Sequence, residues 1–140
     1  MVADVEFMVQ KIAEYSGVSV EEVPDMLKHA SEKCMSIEEI RRWLDAVAYA
    51  VEEYIKEKYS ISRGELEILV TVDPEGKYNS LEPCVEVGGF RIVLKDLIWD
   101  ARWGDLLDED GTVAELTEWA DSIVEKYKEI KKKLTALEKS

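Results

Sequence analysis

The chain is poor in the residues that carry most metal and nucleophile chemistry. Its 140 residues include one histidine, His29, and two cysteines, Cys34 and Cys84. Two thiols and one imidazole do not complete the four-ligand set of a structural zinc site. A Ser–His or Cys–His pair would have to use His29, which sits beside Lys28 and one helical turn from Glu32. No GxxxxGK[ST] loop and no GxGxxG after a strand is present, so the common phosphate and dinucleotide cradles are missing. No apolar run approaches the ~20 residues of a membrane span. The opening residues Met1 to Glu6 hold no basic leader followed by an apolar stretch, so we expect no secretory signal, reduced thiols and a cytoplasmic chain. Whether Cys34 and Cys84 pair stays open.

Amides are equally scarce. Asn79 and Gln10 are the sole representatives of their kinds, while Glu and Lys abound. Deamidation at high temperature and the falling cost of desolvating charge when hot both favour this bias. We therefore expect a hyperthermophilic source, an archaeon or one of its mobile elements.

Acids, by contrast, are plentiful: 31 Asp and Glu face 18 Lys and Arg, a formal charge of −13. That sign opposes phosphate-backbone binding, which rests on clustered cations, so no direct nucleic-acid contact is expected. With 46% hydrophobic residues the chain still carries enough apolar surface for one buried core. The charge is uneven. Residues 1–60 sum to −6, residues 61–111 to −7 and residues 112–140 to zero.

Period and punctuation predict a single α+β domain. Residues 1–60 read as helical, 65–94 as a three-stranded antiparallel meander, 95–111 as an acidic connection and 112–138 as a long amphipathic helix. Val5, Met8, Val9 and Ile12 mark the first helix, ended by Gly17. Ser19 with Glu22, and Ser36 with Glu39, open the second and third as capping boxes. Val20, Val23, Leu27, Ala30 and Cys34 form the second stripe. The third runs to about Tyr59 with Ile40, Trp43, Leu44, Val47, Val51, Tyr54 and Ile55 inward. Glu38–Arg42 and Glu52–Lys56 are then pairs on its solvent side. From Glu65 to Asp73 the period drops to two, with Leu66, Ile68, Val70 and Val72 on the inner face. A loose connection follows to Pro83. Gly88-Gly89 folds a hairpin that sets Val87 opposite Phe90, Glu86 opposite Arg91 and Val85 opposite Ile92. Leu97, Ile98, Trp99, Trp103, Leu106 and Leu107 read as one or two helical turns, interrupted at Gly104.

Two features point to partners. On the last helix Leu116, Ala120, Ile123, Tyr127, Ile130, Leu134 and Leu137 alternate steps of four and three, the seam of a helix that packs on another. That seam is satisfied either by the domain's own sheet or, in its distal half, by a second copy or a partner protein. Residues 112–125 hold four acids and no base, and residues 126–140 six bases and two acids. The other feature is the acidic run Asp96, Asp100, Asp105, Asp108, Glu109 and Asp110 interleaved with Trp99 and Trp103. Leu106 and Thr117 stand where an EF-hand requires acids, so calcium binding of that type is excluded. Aromatic anchors with a polar rim suit protein recognition. The expectation is a non-enzymatic interaction or regulatory protein, with Trp99, Trp103, Asp96, Asp100, Asp105, Tyr127, Ile130, Leu134 and Leu137 as partner-binding residues. It needs no catalytic residue, cofactor or metal. The alternatives are an enzyme that pairs carboxylates with a divalent ion, and an acidic mimic of nucleic acid that occupies a basic groove.

Overall fold

A computed structural model describes residues 2–27, 36–73, 79–100 and 113–139. Three long helices, α1 (Val2–Ser16), α2 (Ile37–Tyr59) and α3 (Val113–Lys139), pack with an antiparallel sheet of β1 (Leu66–Val72), β2 (Asn79–Val87), β3 (Phe90–Val93) and β4 (Trp99–Asp100). The class is α+β. A 3-10 turn at Val20–Glu22 leads into helical residues 23–27, and a second 3-10 turn occupies Lys95–Leu97. The expected Ala30 and Cys34, His29, and residues 101–112 with Trp103 and Asp105 lie outside the described residues.

Local chemistry sets the helix ends. Ser36 Oγ accepts the Glu39 N–H at 3.2 Å, the expected N-cap. Gly17, at φ +80°, closes α1 by donating its N–H to the Ala13 carbonyl at 2.9 Å. Ser19 behaves differently from its capping-box pattern: its hydroxyl bonds the Glu22 carboxylate at 3.0 Å and caps no backbone group. Chain entry there is a 3-10 turn, and Val20 stays exposed while Val23 and Leu27 are buried.

α2 is the central element. It packs on α1, on β1 and on α3, and Trp43, Leu44, Val47, Val51, Tyr54 and Ile55 are all buried as their spacing predicts. Ala46, Ala48 and Ala50 widen the stripe by letting neighbours approach closely. Met8 and Ile12 of α1 with Leu116, Ala120, Ile123 and Tyr127 of α3 complete the helical part of the core.

The hairpin has the expected register: Val87 faces Phe90, Glu86 faces Arg91 and Val85 faces Ile92. Gly88 and Gly89 take φ +59° and +84°, the pair of positive angles a two-residue turn needs. Arg91 nevertheless turns to Glu67 of β1, at 3.4 Å.

The sheet departs from a three-stranded meander at Pro83. β2 begins five residues earlier than its turn-rich approach suggests and carries Pro83 in mid-strand. The Glu86 N–H bonds the Glu65 carbonyl, which fixes the alternation and points the Pro83 backbone toward the third row. Its carbonyl accepts the Leu94 N–H at 2.9 Å, but proline returns no N–H. The third row breaks there. It detours through the 3-10 turn and rejoins β2 as β4, with Trp99 opposite Leu81 and Asp100 opposite Ser80. Of the residues expected in helical turns, Leu97 lies in the 3-10 turn, while Ile98 is extended and Trp99 belongs to β4.

Indole chemistry fastens this detour to α3. Trp119 Nε1–H donates to the Leu97 carbonyl at 2.6 Å, and its ring meets Trp99 edge-on with centroids 5.2 Å apart. Trp43 Nε1–H, also buried, has no acceptor among the described residues. Both rings bury similar area, so changing each to Phe isolates the hydrogen bond. Trp119→Phe is expected to cost about 1 kcal/mol more than Trp43→Phe in urea melts, because only the former strands a carbonyl.

Candidate functional site

β3 and the 3-10 turn on one side and α3 on the other enclose a groove of about 550 Å³. It exists because α3 leans on β2 and the 3-10 turn, while β3 stands away from the helix. Ile92, Leu94, Leu97 and Ile130 supply its apolar floor, and Lys95, Asp96, Glu125, Lys126 and Glu129 its rim. Two sequence features expected to act separately, the acidic run and the helical seam, meet here through Asp96 and Ile130. Glu129 is neutralised by Lys126 at 3.9 Å and Lys133 at 3.4 Å.

The other expected partner residues are dispersed. Trp99 is half-buried against Trp119, and Asp100 is exposed at the end of β4. Tyr127 is buried, its hydroxyl donating to Glu65 at 3.3 Å. Leu134 is partly buried against the core, and Leu137 is 69% exposed. From Lys128 to Leu137 no residue is buried, so the body ends its grip on the helix within this stretch. Lys128, Lys131, Lys132, Thr135 and Ala136 line a shallow basin there.

Two polar constellations went unread in the sequence. Glu52, assigned by spacing to a solvent-side pair with Lys56, is buried. Its Oε2 accepts the Ile68 N–H at 2.8 Å and its Oε1 lies 3.4 Å from Arg63 Nε. Burial pushes its carboxyl up to about 7, restrained by the Ile68 N–H and the Arg63 charge. A cleft beside it is lined by Tyr15, Tyr49, Glu53, Lys56, Ser62 and Arg63. The second constellation joins three helices. Asp121 Oδ1 accepts from Tyr59 Oη at 2.7 Å, Tyr54 Oη at 2.9 Å and Lys58 Nζ at 3.4 Å, and Lys58 reaches Asp4 at 2.9 Å. Burial raises Tyr54 to about 12, too high to serve as a base near neutrality. Hydrogen bonds that Lys58 donates to Tyr54 and Asp4 raise it. Burial acts to raise Asp121, but bonds from Tyr59, Tyr54 and Lys58 outweigh it and hold the carboxyl below its ordinary value. Both arrangements join elements of the fold, and Glu52 and Arg63 border a cleft.

Cys84 is a buried free thiol. Among the described residues no three His, Cys, Asp or Glu side chains gather to hold a metal ion, and no helix is long and apolar enough to cross a membrane. Compared with protein-family models, curated proteins and solved structures, the chain shows no match.

Proposed function

We propose that the chain is a non-enzymatic interaction protein of a heat-adapted cell, which receives a protein partner in the groove between β3 and α3. The observation that supports this reading is the groove itself: an apolar floor framed by charge, open beside a sheet edge, on a molecule of formal charge −13. Apolar centres with polar rims are how protein surfaces recognise one another. The test is affinity capture from a thermophile lysate with the full chain and with Ile130→Glu, which places a charge on the groove floor without entering the fully buried core. A partner retained by the first and lost by the second is expected. Equal retention by both, or no specific partner, overturns the groove as the contact.

A second reading is self-association through the distal half of α3. It is favoured by the exposure of Leu137 and by the lysine-lined basin on an otherwise acidic chain. Acidic proximal halves then meet basic distal halves in trans. Light scattering across a concentration series decides: a constant monomer mass removes this reading.

A further inference from the structure

The sheet has two outer edges, and the fold treats them oppositely. Along β1 the backbone groups of Ile68 point away from β2, because Ile68 faces Pro83 in a pair between the bonded rungs. The first half of that edge is closed: the Leu66 N–H bonds the Ser62 carbonyl at 3.0 Å, α2 packs on β1, and the buried Glu52 accepts the Ile68 N–H at 2.8 Å. Along β3 the same alternation turns Phe90 and Ile92 toward β2 and turns the N–H and C=O groups of Arg91 and Val93 outward. Those groups have no backbone partner among the described residues. Edges of this kind are usually guarded by shortness, lysine, proline or a bulge. β3, Phe-Arg-Ile-Val, is short but holds no lysine or proline, and its one charge is drawn back to Glu67.

We infer that the groove takes its partner as an added β-strand, an extended segment hydrogen-bonded to Arg91 and Val93 along the free edge of β3, with apolar side chains at alternate positions and lysine or arginine between them. This rests on the interaction reading and specifies the partner's conformation and charge. A strand added at the usual ~4.8 Å spacing enters the space that α3 leaves beside β3. Alternate side chains of that strand then meet Ile92, Leu97 and Ile130, while the others lie beside Val93 at the groove's open mouth, on the side of its charged rim. Charge selects the sequence. Glu129 is already matched by Lys126 and Lys133, which leaves Asp96 and Glu125 against Lys95 on the rim. The whole chain adds −13 behind them, so a basic strand is attracted and a second copy, bringing the same charge, is opposed.

The probe is a synthetic eight-residue peptide alternating valine with lysine and threonine, compared with its glutamate-for-lysine counterpart. Titrated into the isotope-labelled full chain, the lysine peptide is expected to bind at least about tenfold more tightly than the glutamate peptide. The amides of Arg91 and Val93 should gain about tenfold or greater protection from hydrogen exchange. Val93→Pro removes an outward N–H at an edge, where proline is tolerated, and should abolish binding while the melting temperature hardly moves. The exchange experiment on the unaltered chain stands even if that variant folds poorly. Equal binding to Val93→Pro, or protection absent at Arg91 and Val93, overturns strand addition and leaves the groove as a contact of another kind. Failure of both peptides while Ile130→Glu still loses its captured partner does the same. A dimer that Val93→Pro converts to monomer makes a second copy the occupant and overturns the basic partner.

Discussion

Replacing Asp121 by alanine is expected to lower stability by about 3 kcal/mol, the largest loss from any single polar side chain described above. One carboxylate oxygen accepts from two tyrosine hydroxyls and approaches an ammonium, and the groups come from α2 and α3, with Asp4 of α1 attached through Lys58. The Lys58 contacts are partly exposed, and such ion pairs contribute only about 0–1 kcal/mol each. The larger share comes from Tyr54, whose side chain is almost wholly buried and whose hydroxyl loses its charged acceptor. At this chain length the loss lowers the melting temperature by about 10 °C. Asp121→Asn keeps an acceptor oxygen and loses the charge, so about half the effect should remain. Acidity supplies a second readout. The folded carboxyl lies below its ordinary 3.8, so its contribution is complete above that value and is lost as pH falls through the folded one. The stability gap between the parent chain and Asp121→Asn should therefore narrow in acid. A gap that widens there, or an alanine variant as stable as the parent, removes the network from the stability of the helical layer.

The features legible in the sequence are those set by near neighbours. Ser36 and Gly17 terminate helices through bonds spanning three or four residues, and Gly88-Gly89 sets a hairpin register that is matched rung by rung. The inner faces of α1 and α2 follow from period alone. Pro83 misleads because its ordinary meaning, a residue unfit for a central strand, holds only if the neighbouring row is continuous. Here the neighbour breaks opposite it, and the missing N–H is what ends β3 and creates β4. Glu52 misleads for a related reason. Spacing places it one turn before Lys56, but β1 arrives 16 residues later in sequence to cover it and supply a donor. The groove is the same lesson applied to function. Asp96 and Ile130 each stood out locally, yet the turn that brings them to opposite walls depends on Pro83 and on the Trp119–Leu97 bond. Trp99, an exposed anchor by composition, instead packs its ring on Trp119.

Glu52→Gln should make the protein more stable, by an advantage that grows as pH rises from about 4.5 and is complete above about 7. The carboxyl is 8% exposed and titrates near 7 in the fold against an ordinary 4.5. Between those values the folded chain holds a proton that the unfolded chain has released, so stability falls as pH rises through this window and levels off above it. The full shift corresponds to about 3 kcal/mol, and water reaching the Arg63 side reduces this to about 2 kcal/mol. Glutamine has the shape of the protonated acid and can still accept the Ile68 N–H, so below about pH 4 the two proteins should melt together. At pH 8 the variant should melt about 5–8 °C higher. Arg63 loses a partner in the exchange, but its side chain is 59% exposed and retains Glu67 at 3.4 Å, so this subtracts little. Glu52→Leu separates charge from hydrogen bonding: it also removes the desolvation cost but strands the Ile68 N–H at the sheet edge, which costs about 1–3 kcal/mol at every pH. If Glu52→Gln is the less stable protein at pH 8, the Arg63 attraction outweighs burial and the folded carboxyl is not raised above its ordinary value.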